Sequence, residues 1–260
     1  MNLSVVVITR NEEAGIEECL KSVSWAQEIV VVDAMSTDRT CDIARRYTRK
    51  VFSKPWDGYA PARRYAISLA QSEWVLSLDA DEIVTPDLRA EIEATLARQP
   101  GDGYLIPRKA FFLGRWISHC GWYPGYVLRL FRKEKAMVTP RMVHEGIRVQ
   151  GRVGRLKNHI LHYTYPTVES YLGRFSTYTS LSAQELYAEG KRAHLVDIVG
   201  RPGFQFIKMY FLKKGFLDGL PGFALCVLSG LHVFVKYLKL WEIEHKGLDQ
   251  NNEDQRRNIR

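Results

Sequence analysis

Cysteine is sparse and scattered in this sequence. Its 260 residues hold four, Cys19, Cys41, Cys120 and Cys226, with no C-x-x-C pair. That pattern argues against a disulfide framework or a zinc ribbon and for a reducing compartment. No G-x-G-x-x-G follows the first apolar run and no G-x-x-x-x-G-K-[ST] occurs, so neither a dinucleotide fold nor a P-loop NTPase fits. The net charge is +8, yet there is no C₂H₂ spacing, basic zipper or aromatic RNA-binding signature, and no nucleic-acid partner is expected. Internal repeats and low-complexity stretches are absent. The opening MNLSVVVITRNEE has no basic leader and no cleavage site, so no signal peptide is expected. What remains is ordinary globular composition, 46% hydrophobic and 25% charged, in a length that suits one domain plus a helical appendage.

The charge is uneven. Residues 1–100 carry 12 basic and 16 acidic side chains, and residues 101–260 carry 25 and 13. A basic second half points to an anionic partner: phosphate groups or the cytoplasmic face of a membrane.

Residues 3–9, 28–33, 50–53 and 73–78 read as short buried strands. Between and after them, helical spacing is found at 12–23, from Thr37, at 60–71 and at 86–97. Strands alternating with helices at this interval predict βαβ units, a mainly parallel sheet flanked by helices, and ligands at the strands' carboxyl ends. After Gly101 the texture changes to short strands (103–108, 126–132, 144–149, 158–162) among Gly- and Trp-rich loops, and then to helices at 167–189, 203–214 and 220–243. The expected division is a sheet domain over 1–165, a helical region over 166–246 and a disordered polar tail over 247–260. Residues 219–235 lack formal charge, but 17 residues at about 1.5 Å each barely cross a hydrocarbon core of about 30 Å. With Pro221 and Gly222 inside it, and Lys236, Lys239 and Trp241 after it, the segment is expected to lie at a membrane interface, with burial against neighbouring helices as the alternative. Lys208, Lys213, Lys214, Lys236 and Lys239 are expected to meet anionic headgroups or a phosphorylated acceptor.

The chemistry collects at one rim. Strand one closes on Thr9, Asn11 and Glu12, strand two on Asp33, and strand four on Asp79-Ala80-Asp81. In a parallel sheet these ends share an edge. Carboxylates spaced i, i+2 on a turn after an apolar strand suit a divalent cation, Mg²⁺ or Mn²⁺, that completes its shell with the oxygens of a diphosphate.

SVVVITRNEE, then VVVDAMSTDRT, then WVLSLDADE resemble, in that order, the N-terminal half of an inverting GT-A glycosyltransferase of family 2. GYAPARRYAISLA, GWYPGYVLRLFRK, RMVHEGI, ILHYTYPTVESYLGRFSTY and FVKYLKLWE extend the likeness over residues 1–243 to the lipopolysaccharide inner-core glucosyltransferases of the WaaE/KdtX kind. The resemblance implies a GT-A fold with a C-terminal helical, membrane-associating region. It implies a UDP-sugar donor, UDP-glucose, and a heptose of the lipid A–core oligosaccharide as acceptor, joined in a β-1,4 linkage. The place of action it implies is the cytoplasmic face of the bacterial inner membrane, which the protein would join peripherally. By the same likeness Thr9, Asn11 and Glu12 hold the uridine and Asp33 touches uracil or ribose. Asp79, with Ala80 beside it, meets the ribose or the groups around the metal; Asp81 binds the metal, with His162 (His159 behind it) as a further ligand; Arg64 meets the diphosphate. The C-terminal Q-x-x-R-W of processive synthases is absent, which argues against polymerisation.

Inverting transfer needs a base for the acceptor hydroxyl, worth typically about 10²–10⁴-fold. Glu145 in Val143-His144-Glu145-Gly146 stands where the family has an acidic base motif, with His144 to orient it. Trp116, Trp122, Tyr123 and Tyr126 near Arg129 and Arg132 suit sugar faces and anionic groups, so Trp122, Tyr123 and Arg129 are expected to bind the acceptor. Arg129 has a second reading, as the partner of a carboxylate in the site. A transferase acting on a polyprenyl-phosphate or capsule intermediate, and a catalytically silent nucleotide-binding protein, are the alternatives.

Overall fold

The computed structural model describes residues 2–98, 101–139 and 146–257, with side chains as far as His245. His144 and Glu145 lie outside the described residues, and the tail 247–260 lies outside those with described side chains. In chain order the elements are β1 (Leu3–Thr9), α1 (Ile16–Ser22), β2 (Glu28–Asp33), α2 (Thr40–Ala44), β3 (Val51–Ser53), α3 (Tyr59–Leu69), β4 (Trp74–Asp79), β5 (Glu82–Val84), α4 (Pro86–Arg98) and β6 (Gly103–Phe112). There follow β7 (Arg115–Trp116), β8 (Gly125–Arg132), β9 (Ala136–Val138), β10 (Ile147–Val149), β11 (Val153–Arg155), β12 (Ile160–Tyr165), α5 (Val168–Ala188), α6 (Leu195–Ile207) and α7 (Gly219–Arg257). The chain forms two compact units: Met1–Phe111 with Tyr123–Thr164, and Phe112–Trp122 with Tyr165–Arg260. Residues 112–122 thus group with the helices although they fall within the sequence span of the first unit.

The first unit is built on a sheet of order β3-β2-β1-β4-β8-β6-β12-β5. β3, β2, β1 and β4 run parallel, as their intervening helices require. β8 then runs antiparallel to β4, and β6 antiparallel to β8. The antiparallel half comes from the region after Gly101, where the sequence abandons its strand–helix alternation. β1 is buried from end to end. Its Leu3, Val5 and Val7 face a core shared with Ile16 and Leu20 of α1 and Leu88 and Ile92 of α4, while Val6 and Ile8 face Ala62, Ala66 and Ile67 of α3. A strand covered by helices on both faces has no solvent side, which is why it reads as an unbroken β-branched run. The register sets Thr9 opposite Asp33 and Ile8 opposite Asp79, so the ends of β2, β1 and β4 form one edge.

The second unit packs α5, α6 and α7 around two apolar clusters. One holds Phe112, Ile117, Cys120, Tyr171, Leu225 and Cys226; the other holds Ala183, Tyr237 and Leu240. α6 begins eight residues before the helix expected at 203–214. His194 precedes it, its N–H donating to Asp197 Oδ2 at 3.1 Å, and the helix continues through Pro202 into a π-helical turn over Lys208–Leu212. Asp218 is buried at the head of α7. Its carboxylate accepts from the Ser118 and His119 backbone N–H groups (3.3 and 2.9 Å) and from Ser118 Oγ (2.9 Å), with His119 Nδ1 at 3.0 Å. Burial opposes the charge, but these partners outweigh it and hold the acid below the ordinary carboxylate range. Gly222 permits the tight approach here, since a Cβ would come within 2.3 Å of the Gly215 carbonyl oxygen. Two lysines expected at lipid headgroups are placed otherwise. Lys239 Nζ donates to Ser176 O, Thr179 Oγ1 and Ser180 Oγ of α5 at 2.8–2.9 Å. Lys236 is half-buried over the Tyr237 ring, its pKa lowered by burial and by Arg201 and Lys191. Lys239, its N–H donors taken by α5, has none left for a headgroup, which is the physical reason for the correction at that residue.

Candidate active site

The edge of the first unit brings together most of the polar residues expected there. Thr9 ends β1, buried, and its Oγ1 has no hydrogen-bond partner among the described residues. Asp33 ends β2 and is also buried; both its oxygens accept from Ser36, one from the N–H at 2.9 Å and one from the hydroxyl. Ser36 Oγ in turn accepts from the Asn11 N–H (2.8 Å), and Asn11 Oδ1 accepts from the Thr37 N–H (2.9 Å). Glu12 N–H donates to Thr40 Oγ1 at 2.8 Å. The loops after β1 and β2 are therefore laced to each other. Asn11 holds its place at φ 52°, in the left-handed region that Asn tolerates better than most residues.

Beside these loops the D-x-D turn divides its two carboxylates between different tasks. Asp79 accepts from Arg63 Nη2 at 2.7 Å and, on its other oxygen, from Arg129 Nη2. Arg129 also donates to Glu82 Oε1 (2.7 Å), and Glu82 Oε2 accepts from the Asp79 N–H (3.0 Å). Arg63 Nη1 reaches Ser77 Oγ at 2.7 Å, and Arg108 Nη1 lies 3.4 Å from Glu82 Oε1. Burial by itself would raise the Asp79 acid, but Arg129 and then Arg63 overcome it and hold the group well below the carboxylate range. Arg129 is likewise disfavoured by burial and yet raised, by Asp79 and Glu82. Asp81 takes the other direction. His162 Nε2 lies 3.4 Å from Asp81 Oδ1, and Thr164 Oγ1 stands 3.0 Å from His162 Nδ1. β12 delivers His162 here because it pairs antiparallel with β5, setting His162 opposite Glu82. Burial lowers the imidazole pKa, but the Asp81 hydrogen bond and charge, with Glu82 behind, raise it above the usual value.

Several expected residues sit elsewhere. Arg64 is exposed, and Arg63 is the arginine that reaches the rim. One position on a helix is about 100°, so Arg63 shares a face with the buried Ala66 and Ile67 while Arg64 points off it. Arg129 is buried between two carboxylates, which corrects its assignment to the acceptor and matches its second reading. Trp122 packs in the second unit against Phe112, ring centroids 6.3 Å apart. Tyr123 belongs to the first unit, its hydroxyl 2.8 Å from His159 Nε2, so His159 is engaged there; burial and Lys109 lower its pKa. Ala80 is buried in the D-x-D turn. Two residues, Glu82 and Arg63, were not anticipated. Both had a signal: Glu82 shares a strand face with buried Val84, and Arg63 a helix face with Ala66. Among the described residues no cluster of three or more His, Cys, Asp or Glu is arranged to hold a metal; Asp81 and His162 lie together at this edge as a pair.

The comparisons agree with this architecture. The family model described as glycosyl transferase family 2 matches residues 4–144. The lipopolysaccharide core biosynthesis glycosyltransferase LpsC of Rhizobium meliloti (strain 1021) is 28% identical over 253 residues, covering 92% of this chain and 92% of LpsC. An uncharacterized glycosyltransferase of Rickettsia bellii (strain RML369-C) is 29% identical over 262 residues, covering 96% of this chain and 88% of its own. Among solved structures, the mannosyltransferase PcManGT from Pyrobaculum calidifontis, in complex with GDP-Man and Mn²⁺, superposes with a TM-score of 0.54 at 16% identity over 92% of this chain and 86% of that one, a likeness of fold. With the matched region spanning both the D-x-D turn and the parallel half of the sheet, the chain belongs to glycosyl transferase family 2 and is a glycosyltransferase of GT-A architecture.

Proposed function

We propose that this glycosyltransferase inverts configuration, depends on a divalent cation, and moves glucose from UDP-glucose to a heptose of the lipopolysaccharide inner core, forming a β-1,4 linkage at the cytoplasmic face of the bacterial inner membrane. One observation carries the catalytic part: Asp81 and His162 face each other across 3.4 Å at the carboxyl edge of the sheet, while Asp79 is engaged by two arginines. A carboxylate oxygen and an imidazole nitrogen are donors that Mn²⁺ or Mg²⁺ accepts, and Thr164 on Nδ1 leaves Nε2 as the nitrogen addressed to the ion. A cation held there would neutralise charge on the departing diphosphate. The PcManGT complex, whose ligands include Mn²⁺ and a nucleotide sugar, supports that reading, and the lipopolysaccharide-core relative supports the acceptor.

The chain's own residues do the rest. The buried Arg63–Asp79–Arg129–Glu82 network fixes the turn that presents Asp81. The interlaced loops after β1 and β2 offer the surface for uridine. Glu145 takes the acceptor proton as the hydroxyl attacks the anomeric carbon from the face opposite the diphosphate, and His144 orients it. The test is a donor screen on deacylated lipid A–core acceptor with linkage analysis of the product. Glu145→Gln is expected to keep UDP binding and lose about 10²–10⁴-fold in turnover; near-normal turnover removes Glu145 from the role. Asp81→Ala and EDTA are each expected to abolish transfer, and full activity in EDTA overturns the metal assignment. Transfer to a polyprenyl phosphate in place of the core acceptor would replace the acceptor class and leave the donor site standing.

A further inference from the structure

We propose that the second unit docks on an anionic phospholipid bilayer through a single face composed of α6, the turns over 208–218 and the outer stripe of α7, with α7 lying along the membrane surface. The inference deepens the peripheral location in the reading above, and rests on that reading only for which membrane is met.

The stripe comes first. α7 exposes Leu220, Phe223, Val227, Leu231, Phe234 and Leu238, at steps of three and four residues, so they share one side of the helix. Exposed Trp241 continues the same spacing. At about 1.5 Å per residue the stripe runs about 30 Å. The segment Gly215–His245 is long and apolar enough to cross a membrane by length and composition. Its opposite side is not free, however: Leu225, Cys226, Tyr237 and Leu240 are buried within the unit, and Lys239 is bonded to α5. A helix with one side in protein and the other apolar and bare suits an interface, where lipid is met from one direction only.

α6 and the following turns extend the face; the sequence alone marked the lysines of the turns but not the first part of α6. Leu195 and Val196 are 75% and 77% exposed, and Val199, Phe204 and Ile207 stand out from the same helix. Between α6 and α7 lies an open groove of about 450 Å³ lined by Ile198, Pro202, Phe206, Val227, Gly230 and Leu231 among others. Soluble monomers rarely leave contiguous apolar area of this extent to water.

Charge selects the occupant. Lys208, Lys213 and Lys214 are exposed and interleaved with exposed Phe211, Leu212, Phe216 and Leu217. The two acids of this stretch are engaged elsewhere, Asp197 with Arg201 and Asp218 with Ser118 and His119. Among the described residues no carboxylate neutralises the three lysines. Aromatic and aliphatic side chains alternating with uncompensated cations match the acyl boundary and headgroups of an anionic leaflet. A second copy of this chain would bring the same three positive charges to the contact.

Flotation of the full chain with phosphatidylcholine vesicles, with and without phosphatidylglycerol, tests the proposal. Binding is expected to rise with phosphatidylglycerol and fall with salt. Replacing all three lysines by Gln is expected to cut binding to the anionic vesicles roughly 100-fold, at roughly fivefold per lysine, and L212Q/L220Q to reduce binding to both vesicle types. Failure of the wild-type chain to float with anionic vesicles overturns the proposal. So does a dimer in light scattering that L212Q/L220Q dissolves, which would assign the face to self-association. Retention in cell membranes after an alkaline carbonate wash overturns the in-plane placement in favour of a spanning helix. UDP binding, followed separately by calorimetry, is expected to survive in both variants. Lost flotation with intact UDP binding therefore concerns this face, and intact flotation without UDP binding concerns the catalytic reading.

Discussion

The two units treat apolar side chains in opposite ways. In the first, apolar residues go inside: β1 is buried throughout and β2 almost so, and the core extends over both faces of the sheet. Its buried Arg63 and Arg129 meet the half-buried Asp79 and the buried Glu82, while buried Asp33 is held by the Ser36 N–H and hydroxyl. In the second, a large share of the Leu, Val and Phe of α6 and α7 remains outside, and the buried Asp218 is satisfied, as Asp33 is, without a guanidinium, here by hydroxyl, imidazole and backbone groups. The first unit is what a chain does when its only solvent is water. The second leaves the apolar stripe of α7 and much of α6 exposed, the surface on which the docking proposed above rests. Hydrophobicity in a sequence does not say which side of the surface it will occupy; the pairing of each element with its neighbours does.

The sharpest way to break this contrast is at Arg129. Arg129→Ala leaves Asp79 and Glu82 without their shared cation in a buried place, and is expected to lower unfolding free energy by about 3–5 kcal/mol in urea titration of the full chain. A change under about 1 kcal/mol would mean that water reaches the network. Next in size, Leu78→Ala in the fully buried β4 is expected to cost about 2–5 kcal/mol on the same measurement. Asp218→Asn probes the other manner of burying an acid. It is expected to cost about 1–3 kcal/mol at neutral pH, read from denaturation midpoints. Because the folded state holds this acid below its unfolded value of about 3.9, the charged form's contribution is whole above that value and disappears as pH falls through the folded one. The gap between wild type and variant should therefore close in acid; a gap constant down to pH 2 would assign the loss to shape rather than charge. Smallest of all, Leu220→Gln on the exposed stripe is expected to move stability by no more than about 0.5 kcal/mol in aqueous buffer. A loss comparable with that of Leu78→Ala would show that Leu220 is covered by protein in solution.

Much of the first unit was legible in advance because its strands are short and buried on both faces. β1 and β2 span the very residues that the apolar runs 3–9 and 28–33 delimit; Asp33 ends β2, and Asp79 ends β4 with Asp81 just after it. α6 was half missed. The helix expected at 203–214 begins at Leu195 instead: packing against α7 carries it through Gly200, Pro202 and Gly203, and Asp197 accepts from the His194 N–H at its start. The arginines were the other difficulty. A guanidinium in the sequence looks like a ligand for an external anion, yet Arg63, Arg108 and Arg129 at the site all meet carboxylates of the protein itself.

The order of apolar runs, the acidic turn after the fourth strand and the imbalance of charge between the halves are local properties, and the sequence alone determined them: a βα sheet with an acidic rim, followed by basic helices. Which arginine answers Asp79, that His162 comes to stand before Asp81, and which side of α7 stays bare depend on strands and helices far apart in the chain. Only the tertiary structure decided those, since a side chain's partner is set by register and packing between elements, and no single stretch of residues carries that information.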